Sequence, residues 1–395
     1  MNNQASLLRK ESFGGTLSNS NSGKRLYLNK HEYTTVQTLR KLSEDLRAEL
    51  GATTDEVIVR EPTRLPTTNF SAPDTIFFEI TRECNLTCEH CFNNSGKRLP
   101  QELTDAQRSD ILNDLCTTGV QEVRFTGGEP LVVSALFKYI SQIRNNGLRA
   151  TIGTNGALIT PQVARRLALA GLNAAITSID GMEEKHDQIR GSGSFQKTLI
   201  GIKSLQDANI PVRVNTVAMR SNLQEIPAIV GYFFERSVPI MIRRLIPSGR
   251  ADGMVAEMLS REDYDSLRQK LHPFLVDKRG FVRGHYLNED RVEPRIKLPF
   301  ERQSCSAGHR GLVVLPNGLV QTCGFLGPLG ETSPGNLKTE SLQTVWGKLC
   351  NSEHIDSLRS LLPGYNLNTS GPRTNCLAIA LAGQAPLVQI QRSVL

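Results

Sequence analysis

Three cysteines lie close together in the segment Cys84-Asn85-Leu86-Thr87-Cys88-Glu89-His90-Cys91. Their spacing is C-x3-C-x2-C, and they follow an apolar run at residues 76–80. A cubane iron–sulfur cluster needs soft thiolate ligands that converge from one short loop, and three cysteines leave one of its four irons without a protein ligand. The pattern therefore predicts a cluster with one iron open to another ligand.

A zinc loop is the alternative interpretation, because zinc sites also use closely spaced cysteines and usually gather four ligands. His90 would then be the fourth ligand. The rest of the chain favours the iron–sulfur cluster: Phe92 follows the last cysteine, and Gly127-Gly128-Glu129-Pro130 follows the next apolar strand.

These residues resemble the radical S-adenosylmethionine (SAM) superfamily, whose signature is C-x3-C-x-aromatic-C or a close variant. His90 supplies the aromatic ring before the last cysteine. The resemblance implies that Cys84, Cys88 and Cys91 hold a catalytic [4Fe–4S] cluster and that the open iron chelates the amino and carboxylate groups of SAM. It also implies an α/β fold with a partial (β/α)6 barrel.

Further motifs resemble SAM-binding segments of the superfamily. Glu129 of the GGE motif is expected to bind the SAM ammonium group, and its two glycines are expected to let the backbone approach a ligand closely. Arg190 resembles an arginine that pairs with the SAM carboxylate, with a surface ion pair as the alternative. The expected cofactor contacts are Phe92, Gly127, Gly128, Glu129, Thr154, Asn155, Ser178, Asp180, Arg190, Asn215 and Leu245.

Strands and helices alternate through the middle of the chain. Helix signals include a capping box at Thr104-x-x-Gln107, a proline at Pro161 and a helix start at Ser260. Repeated strand–helix units predict a parallel sheet with its ligands at the carboxyl ends of the strands. Strands are expected at residues 76–80, 123–126, 149–154, 174–179, 212–219 and 240–245.

A second cysteine region follows near the C-terminus. Cys305 and Cys323 flank a predicted hairpin that turns at Pro316-Asn317-Gly318, so its open end brings the two thiols together. This region resembles the SPASM and twitch extensions of radical SAM enzymes, although the dense run of four cysteines of the longer form is missing. We therefore expect one auxiliary Fe–S cluster, with Cys376 as its third ligand and Cys350 either a further ligand or a core thiol.

The first part of the chain predicts a hairpin over residues 13–17 and 25–28, followed by one helix that ends at Gly51. This order resembles the opening of small winged-helix domains that bind leader peptides, and a plain docking extension is the alternative. The expected division of the chain is an N-terminal extension at 1–51, a linker at 52–73, the barrel at 74–247, a bridging segment at 248–304 and the twitch/SPASM-like domain at 305–395.

Composition and charge indicate which binding partners and which cellular compartment to expect. The net charge of +7 and the pI near 9.0 indicate a solvated basic surface or a patch for an acidic partner, and no block of like charge suggests nucleic-acid binding. No apolar run reaches the roughly 18 residues of a membrane span. We expect a cytoplasmic protein whose eight cysteines are reduced and in part ligate metal.

The resemblance also implies a substrate class. Radical SAM enzymes with such C-terminal extensions act most commonly on ribosomally made precursor peptides, and the chain looks most like maturases of Nif11-class precursors, which include spliceases that excise a tyramine unit. The alternatives are a thioether or carbon–carbon crosslinking enzyme, an aminosugar dehydrogenase, and a non-enzymatic iron–sulfur scaffold or sensor. Expected partners are the precursor peptide, a small leader-peptide-binding protein and an electron donor such as flavodoxin or ferredoxin.

Overall fold

The computed structural model describes residues 5–62, 70–277, 281–284, 308, 310–325 and 333–350. A sheet of nine strands forms its centre. The strands are β5 (Thr75–Glu79), β6 (Glu122–Thr126), β7 (Arg149–Gly153), β8 (Ala174–Ser178), β9 (Val212–Ala218), β10 (Ile240–Arg244), β11 (Val282–Gly284), β12 (Gly311–Val314) and β13 (Val320–Gln321). Their order in the sheet is β11-β10-β9-β8-β7-β6-β5-β12-β13. All neighbouring strands from β11 to β12 are parallel, and β13 is antiparallel to β12.

Helices connect these strands and pack on one face of the sheet, which we call the outer face. Alternate strand residues such as Val123, Ala150 and Val214 join the helices in the main hydrophobic core. The strand residues between them point to the inner face. The connecting helices are α3 (Asp105–Thr117), α4 (Leu136–Asn145), α5 (Pro161–Leu169), α6 (Glu183–Arg190), α7 (Ser194–Asp207), α8 (Ile226–Glu235) and α9 (Arg261–Asp277).

The six predicted strands of the barrel and the predicted C-terminal hairpin are all present, so the α/β class and the partial barrel are confirmed. The helix signals also hold. Thr104 and Gln107 form the predicted capping box at α3, and the Ser260 hydroxyl accepts a hydrogen bond from the Asp263 amide at the start of α9. The structure adds β11 beside β10, and it places the hairpin strand β12 beside β5 at the other side of the six-stranded core.

The N-terminal part forms a second sheet of four strands in the order β3-β2-β1-β4, with β1 (Ser6–Glu11), β2 (Gly14–Asn19), β3 (Arg25–Asn29) and β4 (Val57–Arg60). The predicted hairpin is β2–β3. Strand β1 was not predicted, and β4 lies inside the range assigned to a linker, where it pairs in parallel with β1. We call residues 5–60 the N-terminal module.

The single helix predicted before Gly51 is wrong, because the structure has two helices: α1 (Lys30–Leu39) and α2 (Glu44–Leu50). Arg40 ends α1 in the left-handed conformation with φ of 55°, and Ser43 caps α2 by accepting a hydrogen bond from the Leu46 amide. The break leaves Leu39 exposed. Gly51 ends α2 in the left-handed conformation, as the sequence predicts.

The N-terminal module, the barrel and the C-terminal hairpin meet at the buried carboxylate of Asp74. It accepts hydrogen bonds from Arg9 at 2.9 Å and from Arg310 at 2.9 Å, and Arg25 lies 3.6 Å away. Burial by itself would raise the pKa of Asp74, but the three guanidinium groups outweigh it and lower the pKa to about 2. The carboxylate therefore joins three parts of the chain that are distant in sequence.

A helix at the end of the described region also touches the segment before the barrel. In α10 (Leu342–Cys350), the Trp346 indole donates a 2.8 Å hydrogen bond to the Phe70 carbonyl. None of the helices in the described ranges is both long and apolar enough to cross a membrane.

Candidate active site

The cysteine loop leaves the carboxyl end of β5 and is closed at its base. Glu83 forms an isolated bridge with Gly96, and the Cys84 amide donates to the Gly96 carbonyl at 3.0 Å. Cys84, Cys88 and Cys91 are free and half-buried within this closed loop. The backbone thus holds all three thiols in one short segment, as a cluster requires.

The electrostatic surroundings of these thiols suit a metal cluster. Burial raises the pKa of Cys84 to about 11 and also raises the pKa of Cys88, where the nearby Arg190 guanidinium opposes the shift. A free thiolate is therefore unfavourable at either site, and iron would supply the missing positive charge. The side chains of Asn155 and Arg190 approach the sulfur atoms of Cys84 and Cys88 at 3.9 and 3.8 Å.

Arg250 braces the cysteine loop from the segment after β10. Its Nε donates to the Cys88 carbonyl at 2.8 Å, its Nη1 to the Ser95 carbonyl at 2.6 Å, and its backbone amide to the Cys91 carbonyl at 3.0 Å. The sequence analysis did not select this residue. Its only signal is the Ser248-Gly249-Arg250 turn at a strand end, which is too common to single out.

The two glycines of the GGE motif pack directly against the backbone of the cysteine loop. A Cβ atom on Gly127 would lie 2.3 Å from the Thr81 carbonyl oxygen, and one on Gly128 would lie 2.1 Å from the Glu83 carbonyl oxygen. The amides of Gly128 and Glu129 donate to those same two carbonyls, at 2.7 and 2.8 Å. The glycines therefore bring the turn against the base of the cysteine loop, and their expected contact with SAM stays a prediction.

Glu129 is fully buried and connects the ends of β6 and β7. Its carboxylate accepts hydrogen bonds from the Leu131 amide, the Thr154 hydroxyl and the Asn155 amide, at 3.1, 2.8 and 2.8 Å. These three hydrogen bonds favour the charged carboxylate, but burial has the larger effect and raises the pKa of Glu129 to about 7. No lysine or arginine in the described ranges pairs with it, so a ligand ammonium group would supply the charge partner that this carboxylate lacks.

Asp180 contacts protein groups rather than an open site. Its Oδ1 accepts from the Val217 amide at 2.8 Å, and its Oδ2 lies 2.5 Å from Arg190 Nε and 3.1 Å from His90 Nε2. Burial would raise its pKa, but Arg190 and His90 lower it well below the usual range. The side chain is 0% exposed, and these contacts orient Arg190 and His90. The expected contact of Asp180 with SAM stays a prediction.

Arg190 lies among Asp180, His90 and Cys88, inside the site. The alternative of a surface ion pair is therefore wrong, because its side chain is only 11% exposed. Thr154 and Asn155 also lie at the site. Asn155 donates to the Asn85 side chain at 2.8 Å and so links the end of β7 to the cysteine loop.

The remaining expected contacts lie around the same edge of the sheet. Ser178 and Asn215 are register partners on β8 and β9, and Asn215 Oδ1 is buried without a hydrogen-bond partner. Leu245 packs in a small apolar cluster with Met219 and Ala251. The Phe92 ring contacts Phe325 edge-to-face with 4.7 Å between ring centroids.

That last contact brings the second cysteine region beside the first. Cys323 is two residues from Phe325, and a Cβ on the intervening Gly324 would meet both the Phe92 ring and the Glu79 carboxylate at 3.7 Å. Cys323 and Cys350 are half-buried, while Cys305 and Cys376 lie outside the described residues. Cys116 is buried in α3 and belongs to the hydrophobic core.

Comparison with known proteins decides the family. Residues 78–233 match the family model of the radical SAM superfamily. An AdoMet-dependent heme synthase of Methanosarcina barkeri (strain Fusaro / DSM 804) is 30% identical over 297 residues, which cover 70% of this chain and 82% of that protein. The chain belongs to the radical SAM superfamily. It is therefore an enzyme whose family implies a [4Fe–4S] cluster and SAM.

Two further similarities add to this finding. The mycofactocin maturase MftC of Mycolicibacterium smegmatis (strain ATCC 700084 / mc(2)155) is 34% identical over 181 residues, which cover 45% of this chain and 46% of that protein. The structure of Streptococcus suis SuiB bound to S-adenosylmethionine superposes with a TM-score of 0.68 at 16% identity, covering 93% of this chain and 92% of that one. The SuiB likeness shows that the fold of this radical SAM enzyme is shared over nearly the whole chain.

Proposed function

We propose that this radical SAM enzyme modifies a ribosomally synthesised precursor peptide by abstracting a hydrogen atom from it. The observation that carries the proposal is the likeness to SuiB, which extends over 87% of both chains in the structure of SuiB bound to the precursor peptide SuiA. A likeness of that extent includes more than the barrel. The similarity to a mycofactocin maturase supports the same substrate class.

The proposal assigns the site residues as follows. Cys84, Cys88 and Cys91 hold the cluster, Glu129 binds the SAM ammonium group, and Arg190 faces the cluster loop. When bound, the reduced cluster and SAM supply the 5′-deoxyadenosyl radical that abstracts hydrogen. The protein's own part is to hold SAM and the target carbon in place at the carboxyl ends of the strands, with the SAM carboxylate paired to the remaining donors of Arg190.

The N-terminal module is proposed as the docking element for the leader part of the peptide. It has its own hydrophobic core, which includes Leu8, Leu17 and Leu28, and it is held to the barrel through Arg9 and Asp74. A folded unit fixed at the barrel can hold one part of a long substrate while another part reaches the site. A separate small leader-binding partner protein is the alternative.

An auxiliary Fe–S cluster is proposed near the barrel opening. Cys323 would be one ligand, and its position two residues from Phe325 keeps it close to Phe92 and the cysteine loop. Cys305 and Cys376 are its proposed companions, with Cys350 as the further candidate. A cluster there would lie beside the substrate and could accept an electron from it, and flavodoxin or ferredoxin is the proposed external donor.

The finer proposal is a splicease that excises a tyramine unit and leaves a ketoamide. A peptide crosslinking enzyme and a twitch-type aminosugar dehydrogenase remain the alternatives. A porphyrin-processing enzyme is a second candidate from a different class, because the similarity to the heme synthase covers 82% of that protein.

The test is to incubate the anaerobically reconstituted enzyme with SAM, a reductant and a candidate precursor peptide. We expect deoxyadenosine formation to accelerate and the peptide mass to change. Loss of a tyramine unit would identify splicing, and loss of two hydrogens would identify a crosslink or dehydrogenation. Unchanged peptides together with turnover of an iron porphyrin or oxidation of an aminosugar would contradict the peptide proposal.

A further inference from the structure

Several arginines lie on the inner face of the central sheet. In β9, Val212 and Val214 belong to the core under the helices. Arg213 and Asn215 alternate with these valines, so they point to the inner face. In β10, Ile240 and Ile242 belong to the same core, and Arg243 is on the inner side. Both arginines are half-buried.

The guanidinium groups influence one another across the sheet. Burial and the like charges of Arg124, Arg243 and Arg283 together lower the pKa of Arg213 to about 10, and only the negative charge of Glu122 opposes the shift. Strands lie about 4.8 Å apart, so β6 and β9 would be roughly 14 Å apart in a flat sheet. The sheet is a partial barrel, and Arg124 on β6 and Arg213 on β9 alternate with core residues, so both side chains lie on the same curved inner face.

The acids of this interior are already paired. Glu122 receives hydrogen bonds from Arg124 at 2.7 Å and from Thr151 at 2.8 Å. Glu79 receives the Asn93 side chain at 2.8 Å and lies 3.2 Å from Arg82. Both carboxylates therefore have partners near β5 and β6, although Glu79 Oε2 makes an ion pair and no hydrogen bond.

Arg213 and Arg243 have no such partner within the described ranges. Arg213 Nε is buried and makes no hydrogen bond there, and neither guanidinium group forms an ion pair. The Asn215 Oδ1 atom, two residues above on the same face, is also buried and unpaired. Burying two cationic groups without an anion costs free energy, and a negatively charged ligand would offset that cost.

The position of the pair relative to the active site is given by strand register. Arg243 pairs with Val217, whose amide donates to Asp180 beside Arg190 and His90. Arg243 is therefore at the edge of the sheet where the cysteine loop lies. Arg213 precedes Val217 by four residues on β9, so it lies deeper in the barrel, and Asn215 lies between these two positions. Arg243 therefore lies near the opening of the barrel, and Arg213 lies in its interior.

We infer that Arg213 and Arg243 form a carboxylate-binding site that holds an acidic group of the substrate inside the barrel. The identity of the occupant as a peptide rests on the proposed function. The carboxylate has two sources in a peptide, an acidic side chain near the modified residue or the C-terminal carboxylate. Guanidinium groups suit either one because their parallel N–H donors match the two carboxylate oxygens.

The first test needs no peptide. Binding of glutarate, with uncharged glutaramide as its control, is measured by calorimetry on the reconstituted full chain. We expect Arg213→Gln and Arg243→Gln each to weaken glutarate binding by about tenfold or more, as expected for loss of a charged hydrogen bond. The exposed Arg165→Gln on α5 is the matched control and should change nothing. Absence of glutarate binding to the wild type, or equal binding by all variants, would overturn the inference.

The second test separates the inference from the proposed function. Peptides with Glu→Gln changes or an amidated C-terminus are compared for binding and for stimulation of deoxyadenosine formation, and the sensitive form identifies the source of the carboxylate. If R213Q and R243Q lose glutarate but an iron porphyrin rather than any peptide is turned over, the site stands and the peptide proposal fails. If both variants bind and modify the peptide like the wild type, the site fails and the peptide proposal stands.

Discussion

Glu129 gives a quantitative prediction for SAM binding. Its carboxylate is fully buried, burial raises its pKa to about 7, and no described cation neutralises it. The charged form is the one that binds an ammonium group. As the pH falls below about 7, a growing fraction of the free enzyme carries a protonated Glu129, and SAM must compete with that proton.

The size of the effect follows from this pKa. One pKa unit corresponds to a factor of ten, so with a pKa of about 7 the apparent Kd for SAM should be about eightfold weaker at pH 6.0 than at pH 7.5. Glu129→Gln should remove this dependence on the acid side. At pH 7.5 it should also weaken binding by about 10- to 150-fold, because a charge-assisted hydrogen bond contributes roughly 1.5–3 kcal/mol.

Equilibrium dialysis of labelled SAM with anaerobically reconstituted protein between pH 6.0 and 7.5 provides the measurement. This range ends below the α-amino pKa of about 7.7–8.0, so most of the SAM keeps its charge throughout. Iron content is determined on the same samples and should not differ between wild type and E129Q. A wild-type Kd that does not change with pH, or an E129Q variant that binds as tightly as the wild type, would refute the assignment.

Three further predictions concern the frame around the site. Asp74→Asn should lower the free energy of unfolding by about 2–3 kcal/mol in urea titrations at pH 7, and Asp55→Asn is the exposed control. The pKa of Asp74 in the folded protein is lowered from 3.8 to about 2, so the stabilisation by its carboxylate should be lost as the pH falls from 3.8 to about 2. Gly128→Ala should lower the free energy of unfolding by about 1–3 kcal/mol and should also reduce the amount of bound iron. Gly96→Ala should have neither effect, because a Cβ at Gly96 meets nothing within 4 Å. Equal effects of the two substitutions would contradict the packing argument. Cys323→Ala should remove about four irons while SAM binding persists, and an unchanged iron content would exclude this ligand.

Much of the fold follows from local signals in the sequence. The six barrel strands have apolar residues on the outer face and are separated by helices with their own caps, so period and punctuation locate them. Strand β1 is different. It contains the fully buried Arg9, whose partners Asp74 and the Gly119 carbonyl are 65 and 110 residues away in sequence. No local pattern can show that such a residue is buried.

The candidate site divides in the same way. The cysteine spacing and the GGE motif could be recognised because they lie within short segments. The role of Gly128 could not, since its steric partner is the Glu83 backbone on another strand end. The inner-face arginines were missed for a related reason: a charged residue that alternates with apolar ones in a strand normally indicates solvent exposure, and only closure of the sheet makes that face an interior.

The most direct test of the account is SAM cleavage by the wild type and by a variant in which Cys84, Cys88 and Cys91 are all replaced by alanine. Both proteins are reconstituted anaerobically, reduced with dithionite and assayed for 5′-deoxyadenosine, with iron measured in parallel. We predict that the wild type forms deoxyadenosine and that the variant forms none and has lost about four irons. Deoxyadenosine formation at the wild-type rate by the variant would contradict the assignment of the active site.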